Sequence, residues 1–253
     1  MVNESRILCW ILTNPRNLPK KTIYIKQTWG PRCDRTLYMS TIEDPDFPTI
    51  GVYDDLAKAE SKRLNARKVK NAWIFIRDNY PDFDFYYKVD DDTYVIVENL
   101  RQFLDTKNPD SSEFYGHRFV IQREYKIKYA SGGSGYILTN KCLFLLYGEL
   151  TNSSSRETCI PDGAGEDWKI ARCLNRVGCE IVDTRDDEGK ERFMVFPPGY
   201  HIKGVYTEWY GRFDVDKSLK GVNCCSKYPI SFHYIEGDDI LGMDYLLYKV
   251  RIH

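Results

Sequence analysis

One stretch constrains the fold of this chain more than any other: Phe83-Asp84-Phe85-Tyr86-Tyr87-Lys88-Val89-Asp90-Asp91-Asp92-Thr93-Tyr94-Val95. Its apolar and aromatic run has the length and composition of a buried strand, and it ends in three adjacent carboxylates. Like charges at a strand end repel and resist burial, so they require compensation. A divalent cation such as Mg²⁺ or Mn²⁺ supplies it, because both favour carboxylate oxygen. In open α/β sheets ligands gather beyond the carboxyl ends of the strands. The stretch therefore points to a metal and diphosphate site at a strand terminus, with a solvated acidic turn as the alternative.

The segments on either side alternate in the manner of an α/β chain. Arg6–Thr13 is continuously apolar and fits a buried parallel strand, and Leu18–Trp29 has the apolar spacing of a helix. Strands are expected at Thr36–Ser40 and Thr49–Tyr53. Leu56–Asn79 reads as an amphipathic helix with Leu64, Val69, Ala72, Trp73 and Ile76 on one side. Glu98–Thr106 and Lys141–Leu150 are further helices, and Phe114-Tyr115-Gly116, Ile137-Leu138 and Gly178–Asp183 are short strands. Ser131–Tyr136 is a glycine-rich turn, suited either to close approach of backbone to a ligand or simply to a tight turn. Glu166–Leu174 reads as a helix. Its two leading acids are explained by the helix dipole, or by one of them acting as a general base. Tyr206–Asp216 is aromatic and irregular. Tyr228–Ile235 is an apolar run enclosing His233, ordinarily a hydrogen-bonded core residue but also able to complete a carboxylate metal site.

Composition narrows the class. The chain has 253 residues, a net charge of −1 and 42% hydrophobic residues. A core of useful size is available, and bulk electrostatics give no argument for nucleic acid. A mean hydropathy of −0.50 excludes a polytopic membrane protein. There is no apolar run of about 20 residues and no signal peptide; if the protein belongs in the secretory pathway, its targeting segment is missing from this sequence. The eight cysteines lack zinc spacing, and their even number favours disulfides in an oxidising compartment. Cys224 and Cys225 are adjacent, and each is expected to pair elsewhere. Asn3-Glu4-Ser5 and Asn152-Ser153-Ser154 fit the N-glycosylation pattern.

Six segments in one order resemble the animal beta-1,3-galactosyltransferases, with Fringe-type transferases as more distant relatives. They are RILCWILT at 6–13, IKQTWGPRC at 25–33, KVDDDTYVI at 88–96, YASGGSGYILT at 129–139, GEDWKIARCL at 165–174 and CCSKYPISFHYI at 224–235. The resemblance is strongest to the enzymes that build the core 1 O-glycan. It implies an α/β GT-A fold, a Rossmann-like mixed sheet flanked by helices. It also implies one catalytic domain over 1–253, with a nucleotide-sugar half at about 1–100 and an acceptor half at about 101–253. Mn²⁺ would be held by Asp90, Asp92 and His233, and Asp167 would be the catalytic base. Leu12, Thr13, Arg67, Asp91, Tyr129 and Tyr234 would face the UDP-galactose donor, and Glu166 and Trp209 the acceptor. Arg67 stands where the family carries a lysine, in a segment that here reads Leu64-Asn65-Ala66-Arg67-Lys68. The implied partners are UDP-galactose and a GalNAc-bearing glycoprotein, with a homodimer and a dedicated chaperone as further associations. The implied compartment is the Golgi lumen, reached by a type II membrane anchor absent from this chain.

Three other readings compete. A catalytically silent relative acting as a chaperone would not need the intact acid triplet. A beta-1,3-glycosyltransferase with another acceptor would keep the same machinery. A haloacid-dehalogenase phosphatase would want Thr or Val where Tyr94 stands, and its motif near the N-terminus.

Overall fold

A computed structural model describes residues 4–53, 65–122, 126–152, 159–160 and 165–251. The expected helical residues 56–64, Pro161–Ala164, Asn3 and Ser153-Ser154 lie outside them. The chain runs β1 (Ile7–Leu12), α1 (Ile23–Gln27), β2 (Arg35–Ser40), β3 (Thr49–Gly51), α2 (Asn65–Asn79), β4 (Phe85–Asp90), β5 (Thr93–Val95) and α3 (Val97–Leu104). It continues through β6 (Glu113–Gly116), β7 (Arg118–Gln122), β8 (Lys126–Ala130), β9 (Tyr136–Thr139), α4 (Asn140–Thr151), α5 (Glu166–Arg176) and β10 (Glu180–Ile181). It closes with β11 (Phe193–Met194), α6 (Pro198–Lys203), α7 (Glu208–Phe213), β12 (Ser231–His233) and α8 (Asp238–Tyr248).

The main sheet has seven strands in the order β10-β6-β9-β4-β1-β2-β3. β1 is parallel to β2 and β4, whereas β9 is antiparallel to β4 and β6. The sheet is therefore mixed, and helices flank it, the α/β arrangement expected for a GT-A fold. β1 explains why its sequence shows no alternation. Leu8, Trp10 and Leu12 pack into one layer with Val69 and Trp73 of α2 and Leu143 of α4. Ile7, Cys9 and Ile11 pack into the other, with Ile25 of α1, Leu100 of α3 and Ile240 of α8. A strand covered on both faces has no polar side to show, and each buried aliphatic side chain contributes roughly 1.5–3 kcal/mol.

Several expectations change. The helix expected over Leu18–Trp29 is a π-helical turn at Leu18–Thr22 followed by α1, and a separate 3₁₀ turn follows at Gly30–Arg32. Tyr206–Asp216 is not irregular throughout, because Glu208–Phe213 forms α7 and buries Tyr210. Of Tyr228–Ile235 only Ser231–His233 is strand. All eight cysteines are paired, as Cys9–Cys33, Cys142–Cys179, Cys159–Cys173 and Cys224–Cys225. The expectation that Cys224 and Cys225 each pair elsewhere is thus overturned. The other six are committed in pairs within the core, and the neighbours are left with each other. Among the described residues no helix is long and apolar enough to cross a membrane.

Candidate active site

The carboxyl ends of β1 and β4 lie side by side, with Leu12 opposite Asp90. A cleft of about 400 Å³ lies beyond the carboxyl ends of these central strands. The chain turns at Asp91-Asp92 into β5, which pairs antiparallel with β12, so that His233 lies opposite Thr93. That pairing carries a histidine from late in the chain to the acid triplet. His233 Nε2 is 3.1 Å from Asp92 Oδ1. Ligand atoms of Asp90, Asp92 and His233 all lie within 4.8 Å of one another. His233 Nδ1 is buried without a hydrogen-bond partner among the described residues. Two carboxylates and an imidazole, one ring nitrogen unengaged, fit a divalent cation.

The three acids have different surroundings. Asp91 is buried, and Thr13 Oγ1 and Asn17 Nδ2 each donate to its Oδ2 at 2.8 Å. Burial pushes its carboxyl up to about 6 against those hydrogen bonds. Asp92 is also desolvated, but His233 and Lys21 outweigh that and hold its carboxyl well below the usual range. Lys21 Nζ reaches Asp92 Oδ2 at 3.1 Å and Glu236 Oε1 at 2.6 Å. Asp90 Oδ1 accepts from Lys88 Nζ at 2.6 Å.

The glycine turn is a wall of this site. Tyr87 and Ser231 hydroxyls donate to the Ser134 carbonyl, and Thr93 Oγ1 to that of Gly133. A Cβ on Gly133 would lie 2.0 Å from the His233 ring, and one on Gly132 would lie 2.4 Å from Glu166 Oε1. The glycines are thus required by side chains of the site itself. Glu166 and Asp167 open α5 behind this turn. Gly132 N–H donates to Asp167 Oδ2 at 3.3 Å and Trp168 N–H to Oδ1 at 2.9 Å. Burial raises both carboxyls, that of Glu166 to about 7.

Leu12, Thr13, Asp90, Asp91, Asp92, His233 and Tyr234 line the one cleft. Tyr234 adopts φ +58°, rare for a non-glycine residue, and its ring stacks on His233 at 3.8 Å. Arg67 does not join them. It is exposed, and its neighbour Lys68 turns inward, lines the cleft and donates to the Thr13 carbonyl at 2.8 Å. Helical geometry separates adjacent residues by about 100°, so one residue of register decides which cation faces the cleft. Tyr129 and Trp209 lie on a separate aromatic wall, both packed on Phe119. Phe196 ties that wall to Tyr234, with ring centroids 6.0 Å apart. Lys21, Lys68, Asn17 and Phe196 escaped sequence reasoning. Lys88 had a visible signal, as a lone cation inside a buried apolar strand.

A family model described as Fringe-like matches residues 5–186. The chain belongs to the Fringe-like family. Within it the chain lies on the beta-1,3-galactosyltransferase branch. It is 35% identical to the Xenopus laevis protein named glycoprotein-N-acetylgalactosamine 3-beta-galactosyltransferase 1, over 98% of this chain and 68% of that relative. A solved glycosyltransferase involved in glycosylation of the major capsid of PBCV-1 is far less similar. It shares 13% identity and a TM-score of 0.33, over 59% of this chain and 68% of that one. The Fringe-like match ends after α5 and β10, so it spans the acid triplet and the acid pair but not His233.

Proposed function

We propose that this chain is an inverting glycosyltransferase that moves galactose from UDP-galactose to the 3-hydroxyl of GalNAc-alpha-Ser/Thr on glycoproteins, building the core 1 O-glycan. The observation that carries the reading is the convergence of the Asp90–Asp92–His233 group and the Glu166–Asp167 pair around one glycine turn. It does so in a chain 35% identical to a relative named for that transfer. The donor half falls at about 1–100 and the acceptor half at about 101–253, in one catalytic domain. Four disulfides agree with an oxidising compartment, for which the Golgi lumen fits.

Asp90, Asp92 and His233 would hold Mn²⁺, with Leu12, Thr13, Asp91 and Tyr234 around the nucleotide. When bound, the ion supplies Lewis-acid neutralisation of the departing diphosphate. Lys21 and Lys68 also line the cleft and add positive charge to it. Asp167 accepts the proton of the acceptor hydroxyl as its oxygen attacks the anomeric carbon from the face opposite UDP. The backbone N–H groups of Gly132 and Trp168 fix the orientation of that carboxylate, and burial raises its proton affinity, which strengthens it as a base. Glu166 and the wall bearing Trp209 receive the acceptor, and Tyr129, expected beside the donor, stands instead on that wall, outside the cleft lining. Positioning two substrates supplies much of the rate gain.

The test is UDP release from UDP-galactose and Mn²⁺, with and without a GalNAc-alpha-Ser/Thr peptide. Wild type should show acceptor-stimulated release. Asp167→Asn should lose it by about 10²–10⁴-fold, the range of general-base catalysis, while UDP binding persists. Stimulation that survives in the variant removes Asp167 as the base.

A further inference from the structure

Lys88 is wholly buried on β4, between the two acidic groups of the site. Its Nζ lies 2.6 Å from Asp90 Oδ1, 2.7 Å from Glu166 Oε1 and 3.2 Å from the Gly132 carbonyl. Those three acceptors match the three donors of an ammonium group. An ammonium ion is what such a site holds, since all three neighbours of Nζ are acceptors and two are carboxylates. A desolvated cation shared by two carboxylates is costly to leave half-paired. Each carboxylate is held by one oxygen only, and Glu166 Oε2 is buried with no partner among the described residues. The partners of Lys88 are functionally distinct, since Asp90 belongs to the metal group and Glu166 to the acceptor side.

We propose that Lys88 is a positioning residue that couples the metal group to the acceptor carboxylate, so that a dication on Asp90 commits the Lys88 ammonium to Glu166 and fixes Glu166 Oε2 for an acceptor hydroxyl. The proposal rests on the acid-pair reading above. A dication that neutralises Asp90 weakens its hold on the ammonium, and Glu166 then takes the greater share. By linkage, an acceptor held by Glu166 changes metal affinity by the same factor as the metal changes acceptor affinity.

A double-mutant cycle on Mn²⁺ affinity, measured by calorimetry with UDP present, tests this without requiring turnover. Glu166→Gln commits Lys88 to Asp90 and should weaken Mn²⁺ binding. That loss should be at least threefold larger with Lys88 in place than in the Lys88→Met background. A lysine with a merely structural role would lower the melting temperature of its variants yet give equal losses in both backgrounds, and equal losses overturn the proposal. If Lys88→Met does not fold, Lys88→Arg takes its place in the cycle. Arg keeps the charge but not a single ammonium that can meet both carboxylates, so the coupling should again fall by at least threefold and the acceptor KM should rise at least tenfold. Unchanged coupling and KM overturn the proposal. Absence of acceptor-stimulated UDP release by wild type would instead overturn the proposed function, and the Mn²⁺ cycle would still report on Lys88.

Discussion

Gly133 shows how one residue without a side chain sets the chemistry of another. A methyl group there would occupy the space of the His233 ring, with approaches of 2.0–2.5 Å to its atoms. The ring has little freedom to withdraw, since Tyr234 stacks on it and Asp92 faces its Nε2. Gly133→Ala should therefore weaken Mn²⁺ binding in the presence of UDP by at least tenfold. The stability cost should be about 1–3 kcal/mol, the usual range for overpacking. Calorimetric titration and denaturant unfolding measure the two effects separately, and an unchanged Mn²⁺ affinity would show that the ring can move aside. The same logic of single positions explains why Lys68, rather than Arg67, reaches the cleft. The sequence presents two adjacent cations, and only the phase of α2 selects between them.

At the scale of elements, α5 is the part that carries the acid pair, and it is stapled in place. Cys159–Cys173 ties the chain before α5 to the helix itself, and Cys142–Cys179 ties α4 to the residue just before β10. Replacing Cys159 and Cys173 together by Ala should cost about 2–4 kcal/mol, as expected for closing a short loop. The Asp90–Asp92–His233 group rests instead on β4, β5 and β12, which this bridge does not touch. Binding of UDP with Mn²⁺ should hence stay within a few-fold of wild type, while acceptor-stimulated turnover falls at least tenfold. Calorimetry beside a UDP-release assay makes the comparison, and a parallel loss of both would contradict this division of labour.

Across the whole molecule, the seven-stranded sheet draws strands from both halves of the sequence, and buried ionisable groups link its stability to pH. His201 is buried, with the Phe196 N–H donating to its Nε2 at 3.1 Å. Burial, and then the charge of His117, push its imidazole down to about 4. The unfolded value is near 6.5, so its contribution is present above about pH 6.5 and is lost as pH falls from there towards 4. His201→Gln removes a titrating group. Its stability deficit relative to wild type at pH 7 should shrink by about 2 kcal/mol at pH 4.5, as followed by urea unfolding at each pH. An equal deficit at both would exclude His201 from the acid response. The sequence alone determined what is local: the buried run of β1, the strand that ends in Asp90-Asp91-Asp92, the glycine turn, and most of the order of helices and strands as far as β6. These depend on the burial and charge of neighbours in the chain, which composition and spacing record. The family resemblance pointed to His233, but only the tertiary structure decided how late residues meet that strand. The register of β12 on β5 delivers His233, and Lys88 meets Glu166 across 78 residues of sequence. It also paired Cys224 with Cys225, turned Lys68 inward and folded α7 from an aromatic stretch without clear periodicity. Such contacts depend on where distant segments come to rest, and no local pattern of side chains encodes that.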